Sequence, residues 1–388
     1  MKQIAFIIFL LSQSLTNFAQ QITLSNSVEI SVITVDPGYQ LNDAFGHSAF
    51  RVNDPLLDID QAYNYGMYDY DTPNFYGKFA QGKLLYNMAS YPFQFFLRSY
   101  VQQNRTVKEQ ILNLSTADKQ LFFNYLQNNA KPENKSYLYE FFYDNCATKL
   151  KDVSQEVLKE KVDFTYSFTK GRDDTFRDLI HQYSNVHPWG TFGIDLALGS
   201  IIDKTADPES YLFLPDYIYA SYAESTINNK PLVKKTKILF SAQKKENENK
   251  IFSPLIIFSL VSLLVLFITY KDHKRLKRSK WLDFILFFMT GVIGVVVLLL
   301  WLATDHTATK NNFNILWAFM PNVFVAFTLL KKEFPVWMKK YLLLLLTMLI
   351  VVIILWLLKI QVFSIGIIPI LILLTLRYLY LYKNYKKI

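Results

Sequence analysis

Hydrophobic and polar positions alternate along residues 29–35, Glu-Ile-Ser-Val-Ile-Thr-Val, as they do along a strand. Asp36-Pro37-Gly38 then breaks the run, since proline has no N–H to give a ladder and this composition favours a turn. Residues 44–52 read as a turn entering a second strand, on which His47, Ala49 and Arg51 share one face and Ser48, Phe50 and Val52 the other. Asn53-Asp54-Pro55 ends it. Residues 60–70 predict a partner strand, and 84–91 and 106–114 two more. The period changes at Ser115, an N-cap residue followed by Asp118 in the first turn, with Leu121, Phe122, Tyr125 and Leu126 on one buried face. An aromatic stretch, 137–143, leads to Asp144-Asn145-Cys146, after which Leu150, Val153, Val157 and Leu158 recur at helical spacing. Residues 173–183 predict a further helix, Pro188-Trp189-Gly190 a loop, and Pro215 the start of an aromatic helix. The expected class for this part is α+β, an antiparallel sheet with helices packed on it.

From residue 251 the pattern changes to five apolar runs, 251–270, 282–303, 313–330, 341–358 and 363–382. Each is near the roughly 20 residues that a bilayer-spanning helix needs, so the expected second part is an all-α bundle of five transmembrane helices. Residues 244–250 mix Lys, Glu and Asn and read as a solvated linker. At the N-terminus, Lys2, the apolar run 4–11 and then Phe18-Ala19-Gln20 have the order of a secretory signal peptide. The chain thus divides into a signal peptide (1–19), an exported domain (20–243), a linker (244–250) and a membrane domain (251–388).

The net charge of +9 first suggests a nucleic-acid partner, but the distribution of charge excludes one. Residues 271–280 hold six Lys or Arg against one Asp, residues 331–340 hold four Lys against one Glu, and the tail adds Arg377, Lys383, Lys386 and Lys387. These segments carry more than the whole excess, and the remainder is slightly acidic. They alternate with nearly neutral connections at 304–312 and 359–362, which places the basic segments and the C-terminus in the cytoplasm. The exported domain then lies in the periplasm, on the far side of the inner membrane.

Cys146 is the only cysteine among 388 residues. An exported thiol without a partner survives unpaired in an oxidising compartment, which favours a chemical role over that of a small core hydrophobe. With Asp144 and Asn145 as capping residues, Cys146 opens a helix, where the positive end of the macrodipole favours thiolate. A thiol nucleophile needs a base, usually histidine. Of the five histidines, His273 falls in a cytoplasmic loop, and nothing in the sequence around His181 or His187 supplies an orienting partner. His306, beside Asp305 in an external loop, is placed to meet a headgroup or the active site. His47 is the preferred base, because it follows Gly46 and sits on a short apolar strand that holds its ring. No Gly-rich phosphate loop, zinc-ligand cluster or Gly-x-Ser-x-Gly elbow stands out, so neither a cofactor nor a metal is expected.

Histidine on a strand, followed later by an Asn-Cys pair opening a helix, resembles the circularly permuted papain-like hydrolases, which include the NlpC/P60 peptidoglycan amidohydrolases and the lecithin:retinol acyltransferase-like enzymes. More specifically, Phe45-Gly46-His47-Ser48-Ala49-Phe50-Arg51, Tyr63-Asn64-Tyr65-Gly66, Asn145-Cys146-Ala147-Thr148 and Phe213-Leu214-Pro215 resemble the Bacteroidota-type lipoprotein N-acyltransferase family, formerly a domain of unknown function. The resemblance extends into the membrane domain through Thr304-Asp305-His306 and Asn314-Ile315-Leu316-Trp317. It implies a permuted papain-like fold for the exported domain. It also implies transfer of an acyl chain from a membrane phospholipid, through a Cys146 thioester, to the α-amino group of diacylglyceryl lipoproteins. In such a scheme His47 deprotonates Cys146 and a third polar group orients the imidazole, with Asn64 preferred over Asp60 or Asp43. The Cys146 N–H, helped by the Asn145 side chain, is the expected oxyanion donor, with a helix cap as the alternative role for Asn145.

Two other functions fit the same residues. A membrane-anchored cysteine peptidase or amidase acting on cell-wall peptides needs the same thiol and base. A non-catalytic membrane scaffold needs only a buried cysteine.

Overall fold

The computed structural model describes residues 22–243 and 252–384; the expected signal peptide and linker lie outside the described residues. The first strands form where the alternation places them: β1 (Glu29–Val35), β2 (His47–Asp54), β3 (Ile59–Met67), β4 (Leu85–Pro92) and β5 (Val107–Leu112). Two short helices lie among them, α1 (Phe75–Gln81) and α2 (Phe93–Gln102). There follow α3 (Thr116–Asn129), β6 (Ser136–Leu138), α4 (Thr148–Leu158), β7 (Val162–Asp163), α5 (Phe176–Ser184), α6 (Pro188–Ala197) and α7 (Pro215–Glu224). The last strands of this part are β8 (Thr226–Ile227), β9 (Lys230–Pro231) and β10 (Val233–Phe240). Seven of the strands make one antiparallel sheet in the order β10-β5-β1-β2-β3-β4-β6.

The sheet buries both faces, and the period of two sorts its residues between them. Ile30, Val32, Phe50, Val52 and Tyr63 meet Phe122 and Leu126 of α3, Leu150 and Val153 of α4, and Ile218 and Tyr222 of α7. On the opposite face Ile33, Val35, Ala49, Ala62 and Val107 are covered by Phe93 and Phe96 of α2. His47 and Arg51 share that second face, as the alternation predicts, with Arg51 over the Phe93 ring at 4.0 Å. The Ser115 hydroxyl caps α3 by accepting from the Asp118 N–H.

Residues 188–190 are a helix start and not the expected loop. Pro188 occupies the first turn of α6, where its fixed φ suits the helix and its missing N–H leaves no bond unmade. Arg177 of α5 is buried and pairs with Asp195 and Asp203 at 2.8 Å each, fastening α5 to α6 and to the turn after it. His181 has an orienting partner after all: its Nε2–H donates to Asp195 Oδ1 at 2.8 Å.

In the second part, four helices among the described residues are long and apolar enough to cross a membrane: Pro254–Arg275 (α8), Lys280–Leu302 (α9), Met338–Leu357, and Ile365–Lys383 with its initial 3-10 turn. Of the five expected transmembrane helices, the third run, 313–330, is not among these four, because it is not one continuous helix. Residues 313–330 form a 3-10 turn, Phe313–Leu316, and then a short helix, Asn322–Thr328, numbered α10, so that Met338–Leu357 is α11 and Ile368–Lys383 is α12. Polar side chains and Pro321 break the run. Asn312 and Asn314 donate to Leu196 O at 2.9 Å and Asp195 O at 3.0 Å, spending their amides on the end of α6. Gly294 of α9 lets this segment approach, since a Cβ there would lie 2.0 Å from Ala318 O. At the opposite end of the bundle, buried Arg377 of α12 binds Asp283 at 2.7 Å and Asp272 at 2.9 Å.

The loop from α9 to the broken segment rests on the exported domain. The Asp305 N–H donates to Gln81 O at 2.8 Å, and the Gly199 N–H to Ala308 O at 2.9 Å. The membrane face of the sheet domain is therefore built from α1, α6 and the chain approaching Cys146.

Candidate functional site

The site forms where the ladder between β2 and β3 opens. Their pairing runs from Asp54↔Ile59 to Phe50↔Tyr63 and stops, while β3 bulges between Asn64 and Met67 against β4. A bulge re-aims the strand locally. Gly66 sits in it at φ +87°, and a Cβ there would lie 3.5 Å from Cys146 Cβ. The gap accordingly holds His47 at the first residue of β2, Asn64 on β3, and Cys146 from the turn ahead of α4. The structure brings these three sequence-predicted residues together.

Asn64 Oδ1 accepts from His47 Nε2–H at 2.6 Å. The amide is held in that sense by its other end, because Nδ2 donates to Tyr91 Oη at 2.9 Å and to Met67 Sδ at 3.2 Å. With Nε2 engaged, the remaining ring nitrogen, Nδ1, is the one left for the hydrogen bond between His47 and the Cys146 side chain. Tyr100 stacks on the imidazole at 5.9 Å between centroids, and Phe96 packs at 6.3 Å. Asp60 is taken by Arg51, through two bonds of 2.7 and 2.9 Å, and the Asp43 carboxylate accepts the Gln40 N–H at 2.8 Å. Neither competes with Asn64 for the histidine.

Burial alone pushes the Cys146 thiol up and the His47 imidazole down. Each is outweighed by the other's charge and by their shared hydrogen bond, so the thiol is held below its ordinary value and the imidazole above its own. The pair favours thiolate and imidazolium. Backbone N–H groups of Ser48 and of Cys146 itself also point at the sulfur. Both residues of the pair remain partly accessible, as a nucleophile must.

The Asn145 amide, expected to help an oxyanion, is bonded to backbone instead. Both its amide hydrogens are used, on Phe141 O at 2.8 Å and Phe213 O at 2.7 Å. Its Oδ1 accepts from the Ala147 and Thr148 N–H groups at 2.8 and 3.0 Å. It pins the turn and accepts the first free N–H groups at the start of α4, close to the capping role the sequence allowed, although the N-cap position itself is Ala147. Helix α4 itself starts at Thr148, so Cys146 precedes its first turn instead of lying within it.

Asp305 and His306 do not reach the thiol. His306 Nε2–H donates to Phe79 O at 3.1 Å, and both residues dock the membrane loop on the end of α1. The loop residue that touches the cysteine turn is the next one: the Thr307 hydroxyl donates to Glu140 Oε1 at 2.7 Å, and Glu140 Oε2 accepts the N–H groups of Phe142 and Tyr143 at 2.9 and 3.1 Å. Sequence reasoning missed Tyr91, Tyr100 and Glu140, whose parts depend on partners 27 to 167 residues away. Among the described residues no group of histidine, cysteine and carboxylate side chains has the arrangement of a metal site.

Comparison with known families matches residues 15–186 to the Lnb N-terminal periplasmic domain and residues 246–388 to the Lnb transmembrane domain. No curated protein and no solved structure matches the chain. The two matches follow one another along the chain, and they make it a membrane protein with an N-terminal periplasmic domain. With its motif residues gathered in one gap of the sheet, the chain belongs to the Lnb family, the lipoprotein N-acyltransferase family that its sequence resembles.

Proposed function

We propose that this protein is a thiol-dependent lipoprotein N-acyltransferase, in which Cys146 is the nucleophile, His47 the base and acid, and Asn64 the residue that orients His47. The observation that carries the reading is the His47–Asn64 hydrogen bond of 2.6 Å beside a thiol held below its ordinary value, in a domain docked on a membrane bundle through the cysteine turn. The acyl donor is a membrane phospholipid and the acceptor the α-amino group of a diacylglyceryl lipoprotein. The C-terminus lies in the cytoplasm, because the basic loops do.

Two half-reactions balance. In the first, the Cys146 thiolate attacks a donor ester carbonyl, the C–O bond breaks, and the His47 imidazolium gives its proton to the departing lysophospholipid oxygen, leaving a thioester. In the second, the lipoprotein amine attacks the thioester, neutral His47 takes the amine proton, and the C–S bond breaks to restore the thiolate. The backbone N–H groups at the sulfur, from Ser48 and Cys146, are the proposed donors to the oxyanion that develops in both steps.

Purified protein in phospholipid vesicles with a synthetic diacylated lipopeptide is expected to yield the N-acylated product, with a Cys146 thioester trapped by mass spectrometry when the acceptor is withheld. Equal product from the Cys146→Ala variant overturns the reading. Cleavage of muropeptides with indifference to phospholipid replaces it with the peptidase.

A further inference from the structure

Behind the imidazole of His47 lies a cavity of about 490 Å³. Its walls include Arg105, Gln182, Tyr183 and His187, with the 36–39 turn. Arg105 is 4% exposed. Its Nε–H donates to Asp36 O at 2.9 Å and Nη1 to Gln103 Oε1 at 3.1 Å, but Nη2 is buried and has no partner. His187 repeats the pattern, with Nε2 buried and without a hydrogen-bond partner. A buried cation with an unused donor is costly, and both unpartnered nitrogens belong to residues that line one cavity. The charges of Asp36 and Asp43 both act on Arg105, but Asp36 is paired with Lys108 at 2.6 Å, Asp43 accepts the Gln40 N–H, and neither bonds Nη2.

Two further relationships say what kind of anion enters. Arg105 lies over the Tyr100 ring at 5.0 Å, and that ring stacks on His47, so the cavity adjoins the thiol site through a single aromatic side chain. Tyr39, Val186 and Trp189 are 49%, 56% and 48% exposed; the first two line the cavity. Trp189 Nε1–H donates to Phe252 O at 2.6 Å, and its ring packs on Phe258 of α8 at 5.6 Å. The cavity therefore has an apolar rim beside the outer end of a membrane helix, where tryptophan settles at a bilayer interface.

The geometry points to a headgroup site: Arg105 and His187 bind the phosphodiester oxygens of the donor phospholipid, holding its glycerol ester toward Cys146. This assignment rests on the acyl-transfer reading for its purpose, but its chemistry, an anionic phosphate on a buried guanidinium, is tested apart from transfer.

Full-length Cys146→Ala protein is prepared in neutral detergent, and retained lipid is read by native mass spectrometry after addition of phosphatidylglycerol or phosphatidylethanolamine, or of diacylglycerol, which has no phosphate. Phospholipid is expected to be retained in preference to diacylglycerol. Arg105→Gln in that background is expected to lower phospholipid retention by about tenfold, a typical loss for a charge-assisted contact, and to leave diacylglycerol retention unchanged. His187→Gln is expected to lower phospholipid retention less, and Arg105→Lys to restore part of it. Thermal melting keeps the comparison to folded variants, and Arg105→Met, which also removes the charge, stands in if Arg105→Gln does not fold. Phospholipid retention unaffected by the loss of Arg105, or equal loss of both lipids, overturns the site. Displacement of phospholipid by an equal concentration of inorganic phosphate assigns the cavity to free phosphate and overturns the headgroup assignment. Because the readout contains no transfer step, a failed transfer assay leaves this result standing and a failed retention assay leaves transfer untouched.

Discussion

Thr307, on the membrane loop, and Glu140, on the exported chain, share a hydrogen bond of 2.7 Å. The same Glu140 carboxylate closes the turn that presents Cys146, so the membrane domain is bonded to the support of the thiol. Removing the Thr307 hydroxyl leaves one carboxylate oxygen without that donor, at ~1 kcal/mol. Thr307→Val is therefore expected to slow alkylation of Cys146 a few-fold, and Glu140→Ala, which also frees two N–H groups, to slow it more. Iodoacetamide labelling in native membranes reads both, and unchanged rates in both variants would separate the loop from the site.

The pH dependence of Cys146 follows from the two opposed shifts. The thiol lies below its ordinary 9.0, so thiolate persists as pH falls until its lowered value is passed. The imidazole lies above its ordinary 6.5, so imidazolium persists as pH rises until its raised value is passed. The two shifts act together to favour the ion pair, so thiol reactivity should persist to lower pH than that of a free cysteine. His47→Gln removes the largest influence that lowers the thiol and should move the acid limb of the alkylation profile upward, toward that of a free cysteine. An unmoved limb would show that His47 does not set the thiolate population.

Asn64 acts through His47. Losing a hydrogen bond to a group that becomes charged costs ~1.5–3 kcal/mol, so Asn64→Ala is expected to lower kcat by roughly 10- to 150-fold with little change in KM. The alkaline limb of the acyl-transfer profile should also move down, since the hydrogen bond to Asn64 contributes to the raised imidazole. Tyr91→Phe, which leaves the Asn64 amide only Met67 Sδ as acceptor, should give a smaller effect of the same sign. A loss of folding stability with an unmoved pH profile would make Asn64 a packing residue.

Asn145 should behave as a structural residue. Its side chain makes four hydrogen bonds, and Asn145→Ala leaves Phe141 and Phe213 carbonyls without these donors in a site that is 3% exposed. A cost of ~2–4 kcal/mol is expected, read as a fall in melting temperature together with activity. Slowed acyl transfer at unchanged stability would return Asn145 to the oxyanion role.

How much of this was legible in the sequence depends on the range of the forces involved. Strand and helix identity follows from local period and capping, so β1, β2, α3 and the face shared by His47, Ala49 and Arg51 could be read from neighbours in the chain. The membrane part was legible for the same reason, since long apolar runs and basic loops are properties of composition. The solitary Cys146 and the choice of His47 also rest on residue type and on exclusion by topology. The local rule failed where side chains bind backbone far away: Asn312, just ahead of the third apolar run, and Asn314 within it bond the end of α6, and Asn145 spends its amide on Phe213, 68 positions on.

By itself, then, the sequence determined the two-part architecture, the sign of each membrane loop and which cysteine and histidine to bring together as the proposed thiol and base, because these depend on composition, period and residue type. Only the tertiary structure decided that Asn64 turns His47, that Thr307 and not His306 touches the cysteine turn, and that Arg105 and His187 face one cavity. Each of those facts is a distance between groups brought together by the open β2–β3 ladder and by the docking of two domains, and no local pattern encodes a distance across a fold.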